Sequence, residues 1–264
     1  MRPTDPAAID LLTHGGIEVE GRMVDASNAT LFCAVSHAGV ETKCVYKPVS
    51  GERSLWDFPG GTLAGREFAT YLISEAAGLC LVPPTVLRHG PFGPGMVQLW
   101  VDTKEGDDLV DVLPPEEVPE GWRAVLRALD RFGEPTVLTH ADHPSVCVLA
   151  ALDVVLNNAD RKGGHVLHGT DGNVYGIDHG ICLHEHDKLR TVLWGWVGEP
   201  LPEDAVAALR RLRSALDGEL SASLAEHLTR DEVLALGDRT ERLLTAPVFP
   251  EPNSDGRPLP WPVF

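Results

Sequence analysis

Positive charge is scarce in this 264-residue chain: 22 Lys and Arg stand against 39 Asp and Glu, a formal net charge of -17. Such a balance repels nucleic acid phosphates and anionic membrane surfaces, so neither a nucleic acid partner nor a stable membrane association is expected. Cysteine is sparse too. The five present (Cys33, Cys44, Cys80, Cys147, Cys182) are odd in number and widely spread, without a CxxC pair, which argues against a disulfide framework or a metal knuckle. Long apolar runs are missing as well: the longest, Val146 to Leu156, is broken by Asp153, and MRPTDPAAIDLLTHGG has no apolar stretch of signal type. The expectation is a cytoplasmic protein of one large domain or two closely packed lobes. GxGxxG, GxSxG, zincin spacing, internal repeats and low-complexity tracts are all lacking.

What is there begins with alternation. IEVEGRMV, ATLFCAV and ETKCVYKPV, separated by turn signals at Asp25 to Asn28 and at His37 to Gly39, read as three antiparallel strands. The loop SGERSLWDFPGG leads to a helix from about Leu63 to Ala77, with Thr62 as N-cap and Gly78 as C-cap; LVPPTVLR and GMVQLWV add two strands. The acidic, Pro-rich segment 102–121 reads as a connector. Beyond it, Trp122 to Phe132 and Ser145 to Leu156 are expected to be helical, followed by EDAVAALRRLRSAL and by a helix opened by a capping box from Thr229 to Glu232. The result is α+β: a small antiparallel-sheet lobe with one helix (residues 1–101), a larger, mainly helical lobe (102–246), and a Pro-rich tail (247–264) whose Trp261 and Phe264 are expected to dock on the body.

Two acids stand out in NNADRKGGHVLHGTDGNVYGIDHG. Asp171-Gly172 signals a two-residue hairpin turn, which would set His168 opposite Tyr175, Val166 opposite Ile177 and His165 opposite Asp178, so that Asp160 and Asp178 share the hairpin's open end. Carboxylates gathered there repel each other unless a cation lies between them, and Mg²⁺ bridging phosphate oxygens is the usual answer. In the small lobe, Lys47 sits in the apolar strand CVYKPV, and Glu67 lies on the buried stripe of its helix with Ala64, Phe68, Tyr71 and Leu72. Each requires a partner, and a strand Lys paired to a Glu of the next helix is how kinases hold the α and β phosphates.

On NADRKGGHV followed by YGIDHG, and on REFATYLISEAAGLCLVPPTV, the chain resembles the atypical kinases of the phosphatidylinositol 3-/4-kinase-like superfamily, including its HipA-like and Fam20-like branches. Within that group it is similar to an actinobacterial family distantly related to phosphatidylinositol kinases. The resemblance spans about Val19 to Leu193 and implies a bilobal protein-kinase-like fold carrying a catalytic β-hairpin, with ATP and Mg²⁺ or Mn²⁺ between the lobes. Carried over residue by residue, it makes Asp160 the catalytic base or hydroxyl-orienting acid, Asp178 the principal metal ligand, Lys47 the phosphate-binding lysine, and Glu67 its partner and a second metal contact. Main-chain groups of Gln98, Leu99, Trp100 and Val101 would meet adenine. This chain departs from the family in two places. His165 stands where relatives usually carry Asn and sometimes an acid, and imidazole there suits Mn²⁺ or a hydrogen-bonding role better than Mg²⁺. The missing Gly-rich loop leaves DASNAT to cradle phosphates through N–H groups near Ser27 and Asn28.

The implied activity is transfer of the γ-phosphoryl group to a hydroxyl on a soluble small molecule or protein, the segment GICLHEHDKLR being too weakly basic for inositol phosphates. A nucleotide-binding pseudokinase or a nucleotidyl transferase is the alternative within the fold. A histidine-based metal-dependent hydrolase, built on His179, His184 and His186 or on His140, Asp142 and His143, is the alternative outside it. Trp194 and Trp196 read as packing residues.

Overall fold

The computed structural model describes residues 1–23, 28–254 and 256–264. Five antiparallel strands form the small-lobe sheet: β1 (Gly16–Arg22), β2 (Leu31–His37), β3 (Val40–Pro48), β4 (Thr85–Gly90) and β5 (Gly93–Leu99), in the order β1-β2-β3-β5-β4. Alternation along β3 sends Cys44 and Tyr46 into an apolar cluster with Cys33, Val35 and Val97, and turns Lys47 to the opposite face. The first cluster is closed by α1 (Ala7–His14), whose Ala8, Leu11 and Leu12 are buried. The small lobe therefore has two helices where the sequence predicted one; eight residues are too few to carry a clear helical period.

The second helix, α2 (Leu63–Ala76), follows Thr62, whose hydroxyl accepts a bond from the Gly65 N–H at 2.9 Å. Ala77 is its C-cap, and the expected Gly78 follows at φ +65°. Ala69 and Ile73 of α2 join the main apolar core, so this helix ties the sheet to the second lobe.

That lobe is built on α3 (Pro144–Leu156), α4 (Glu203–Leu216), α5 (Glu219–Ala225) and α6 (Arg230–Thr245). The capping box of Thr229 and Glu232 opens α6. A three-stranded sheet, β6 (Val110–Leu113), β7 (Trp122–Leu129) and β8 (Pro135–Ala141) in the order β6-β8-β7, corrects the sequence reading twice. Residues 122–132 are not helical: Leu126 and Leu129 are exposed, and β7 pairs with β8 from Trp122 to Leu129. The segment taken as a connector contributes β6.

The hairpin of β9 (Val166–His168) and β10 (Val174–Gly176) forms, but one residue out of the expected register. His168 pairs with Val174 and Val166 with Gly176. Asp171 causes the shift: its carboxylate accepts bonds from the Asn173 N–H at 3.1 Å and the Tyr175 hydroxyl at 2.8 Å, so the loop tightens around the side chain and closes with Gly169 N–H on the Asn173 carbonyl. The described residues of the tail form no helix or strand. Phe249 is buried and Phe264 covers Gly163, whereas Trp261 is 82% exposed, so docking holds for Phe264 and not for Trp261. All five cysteines are free, and among the described residues no helix is long and apolar enough to cross a membrane.

Candidate active site

Between the two lobes one cleft is lined by Asn28, Lys47, Glu52, Glu67, Asp160 and Asp178. Lys47 is delivered by the face of β3 opposite its apolar cluster, and Glu67 by the second turn of α2. Their Nζ and Oε1 atoms lie 2.7 Å apart. Lys47 Nζ also donates to Asp178 Oδ1 at 2.8 Å, so one ammonium joins both lobes. Glu52 fixes the start of α2, its two oxygens accepting the Leu63 and Ala64 N–H groups at 2.9 and 2.8 Å.

Burial works against the charge on Lys47, but the carboxylates of Asp178 and Glu67 outweigh it and raise its pKa. Glu67 is pushed up to about 7, chiefly by burial. Partial desolvation also acts on Asp178, whose side chain is 50% exposed, but Lys47 and His165 hold it below the usual carboxylate range. Its backbone is in the left-handed region at φ +57°, a conformation that turns the carboxylate into the cleft.

The loop carrying Asp160 is braced from beneath. Arg161 is fully buried and bonds the carboxylate of Asp153 and the carbonyls of His165 (3.1 Å) and Ile177 (2.9 Å), linking α3, the loop and the approach to Asp178. Its Nη2 donates to His179 Nε2 at 2.6 Å, which leaves that nitrogen unprotonated; burial and then the Arg161 charge hold His179 well below its ordinary pKa. Asn158 accepts the Asp160 N–H at 3.0 Å and donates to Asp153 at 2.9 Å. The Asp160 side chain itself remains in the cleft, its pKa raised to about 6 by burial, with Lys162 opposing. His165 points Nδ1 at the Asp160 carbonyl (3.1 Å) and Nε2 at Asp178 Oδ2 (3.4 Å); burial lowers its pKa to about 4.

Of the residues singled out in the sequence, Lys47, Glu67, Asp160, Asp178 and Asn28 thus line one cleft, and His165 lies against Asp178. Asn28 Oδ1 accepts the Arg53 N–H, and Ser27 falls outside the described residues. Two of the main-chain groups assigned to adenine are already engaged: the Leu99 N–H donates to Pro84 and the Trp100 N–H to Lys43. Gln98 is buried in the sheet against Thr85.

Sequence reasoning missed the Arg161 and Asp153 brace, although an acid interrupting an apolar run announced the need for a partner. It also passed over Lys162, whose Nζ lies 3.9 Å from Asp160 Oδ2. No three His, Cys, Asp or Glu side chains converge closely enough among the described residues to enclose an ion on their own. Three histidines of the hydrolase alternative make structural bonds: His140 accepts the Gly195 N–H, His143 caps α3, and His184 accepts the His186 N–H, while the His186 side chain is exposed. Around Lys47 the donors fit a different ion, one that takes most of its ligands from phosphate and water. Glu67 Oε2 is buried without a partner, and the half-exposed Asp178 faces the same cleft.

No family model matches the chain. Protein Rv2133c of Mycobacterium tuberculosis is 50% identical to it over 263 residues, covering 96% of this chain and 94% of that protein. Two solved structures are distantly similar to it. A Golgi casein kinase has a TM-score of 0.47 at 13% identity, covering 92% of this chain and 74% of that one. The Helicobacter pylori proinflammatory kinase CtkA has a TM-score of 0.49 at 10% identity, covering 90% and 94%. At those scores no residue's role rests on the likeness.

Proposed function

The chain belongs to the same family as Protein Rv2133c, and we propose that it is an ATP-dependent phosphotransferase that moves the γ-phosphoryl group to a hydroxyl of a soluble small molecule or protein. The observation that carries this reading is the bridging ammonium of Lys47, 2.7 Å from Glu67 and 2.8 Å from Asp178, in a cleft that also contains Asp160. A cation held by acids from both lobes is suited to a polyanion entering between them.

Lys47 binds phosphate oxygens, and Glu67 keeps the ammonium aimed into the cleft. Asp178 and Glu67 Oε2 would hold Mg²⁺ or Mn²⁺, which when bound neutralises charge on the phosphates. Asp160 receives the acceptor's proton. As the acceptor oxygen bonds to the γ-phosphorus, the bond from that phosphorus to the bridging oxygen breaks and ADP leaves with the electron pair. A carboxyl with a pKa of about 6 is ionised at neutral pH yet basic enough to take a proton in the transition state.

The test is turnover of γ-labelled ATP without added acceptor, in Mg²⁺ and then in Mn²⁺. Asp160→Ala should lower the rate roughly a hundredfold or more. Nucleotide binding with background turnover unchanged by that substitution would favour the pseudokinase or nucleotidyl transferase alternative.

A further inference from the structure

The tail reaches the loop that carries Asp160. Gly163, three residues on from Asp160, donates its N–H to the Val263 carbonyl at 2.8 Å. The ring of Phe264 lies so close over Gly163 that a Cβ there would overlap it, whereas a Cβ on Gly164 would meet nothing within 4 Å. One glycine of the pair is thus required by the tail's ring. Five residues before Val263, the Pro258 carbonyl accepts the Thr191 N–H at 3.1 Å and the Trp194 Nε1–H at 2.8 Å. Thr191 in turn donates through its hydroxyl to Asp153, the acid that anchors Arg161. Leu259 and Val263 pack against the main core between these attachments.

We infer that Val263 and Phe264 are positioning residues for the Asp160 loop, holding it at Gly163, where Arg161 makes no hydrogen bond. The inference rests on the phosphotransferase reading. Arg161 fixes the loop's carbonyls from below, but the Gly163 N–H and the open surface over its α-carbon are fixed only by the tail among the described contacts. Loss of that cover frees the turn from Gly163 to His165, and with it the approach of Asp160 to the acceptor oxygen. A displacement of about 1 Å at such a site is enough to cost up to a hundredfold in rate. The Lys47 and Glu67 pair, carried by β3 and α2, is untouched.

The experiment compares the full chain with Phe264→Ala, Phe264→Tyr, Gly163→Ala and the double variant Gly163→Ala/Phe264→Ala, measuring kcat, KM for ATP, nucleotide affinity and melting temperature. Phe264→Ala should lower kcat by tenfold or more with KM for ATP and melting temperature nearly unchanged, and Phe264→Tyr should retain the rate. Gly163→Ala should be as impaired as Phe264→Ala, and the double variant no worse than either, because both act on one contact. Amide exchange gives a readout independent of turnover: the Gly163 N–H should be protected in the full chain and exchange faster in Phe264→Ala. Equal exchange in the two, or an unchanged kcat in Phe264→Ala beside an active full chain, would overturn the tail's role while leaving the phosphotransferase reading intact. Absence of turnover in the full chain would overturn both.

Discussion

Arg161 holds Asp153 through three hydrogen bonds of 2.9 to 3.1 Å where neither side chain reaches solvent. Breaking a buried pair of this kind strands a charge, at a cost of about 3 to 5 kcal/mol. Asp153→Ala should accordingly lose that much stability in urea unfolding, together with turnover, because the Asp160 loop rests on the pair. A loss under about 1 kcal/mol would mean that Arg161 finds other partners and that the brace is not structural.

The rate should depend on pH through Asp160. Its carboxyl titrates at about 6, raised by burial, and only the ionised form accepts a proton. Measured for the free enzyme, kcat/KM should therefore be full above about pH 7 and fall as pH drops through 6. An acid limb lying at pH 4 would remove Asp160 from the role.

The same shift has a consequence for stability. A carboxyl whose folded pKa is raised from 3.8 to about 6 stabilises the fold below the unfolded value, and that contribution is lost as pH rises through 6. Asp160→Asn, inactive, should therefore melt a few degrees higher than the unmodified chain at pH 8, with the difference vanishing near pH 4. Calorimetric scans at the two pH values decide this. A lower melting temperature at pH 8 would mean that the ionised carboxylate contributes to the fold.

Lys47 and Glu67 should act as a unit. In a cycle of Lys47→Met, Glu67→Gln and the double variant, nucleotide affinity should drop about as far in either single variant as in both together. Additive losses would show that Glu67 does not position the ammonium.

Legibility of the fold in the sequence followed the number of independent signals at each place. The small-lobe strands carried alternation and turn residues together, and α2 carried an N-cap, a period and a terminal glycine; both lie close to where these signals put them. The stretch 122–132 had no support beyond a helix-like pattern, which failed because Leu126 and Leu129 face solvent on a strand. The hairpin's existence was readable from Asp171-Gly172, yet its register was set by what the Asp171 carboxylate binds, a choice local sequence rules do not contain.

For the site, a lysine in an apolar strand and a glutamate on a buried stripe were visible because each was costly alone, and they lie 2.7 Å apart. By contrast the engaged N–H groups of Leu99 and Trp100, and the ring of Phe264 on Gly163, depend on chain paths that only tertiary structure defines.

Calorimetric titration of a non-hydrolysable ATP analogue with Mn²⁺, into the unmodified chain and into Lys47→Met, tests the convergence on one polyanion most directly. Loss of a charge-assisted bond to phosphate should weaken binding about tenfold or more. Equal affinity for the two proteins, or no binding by the unmodified chain, would contradict the account.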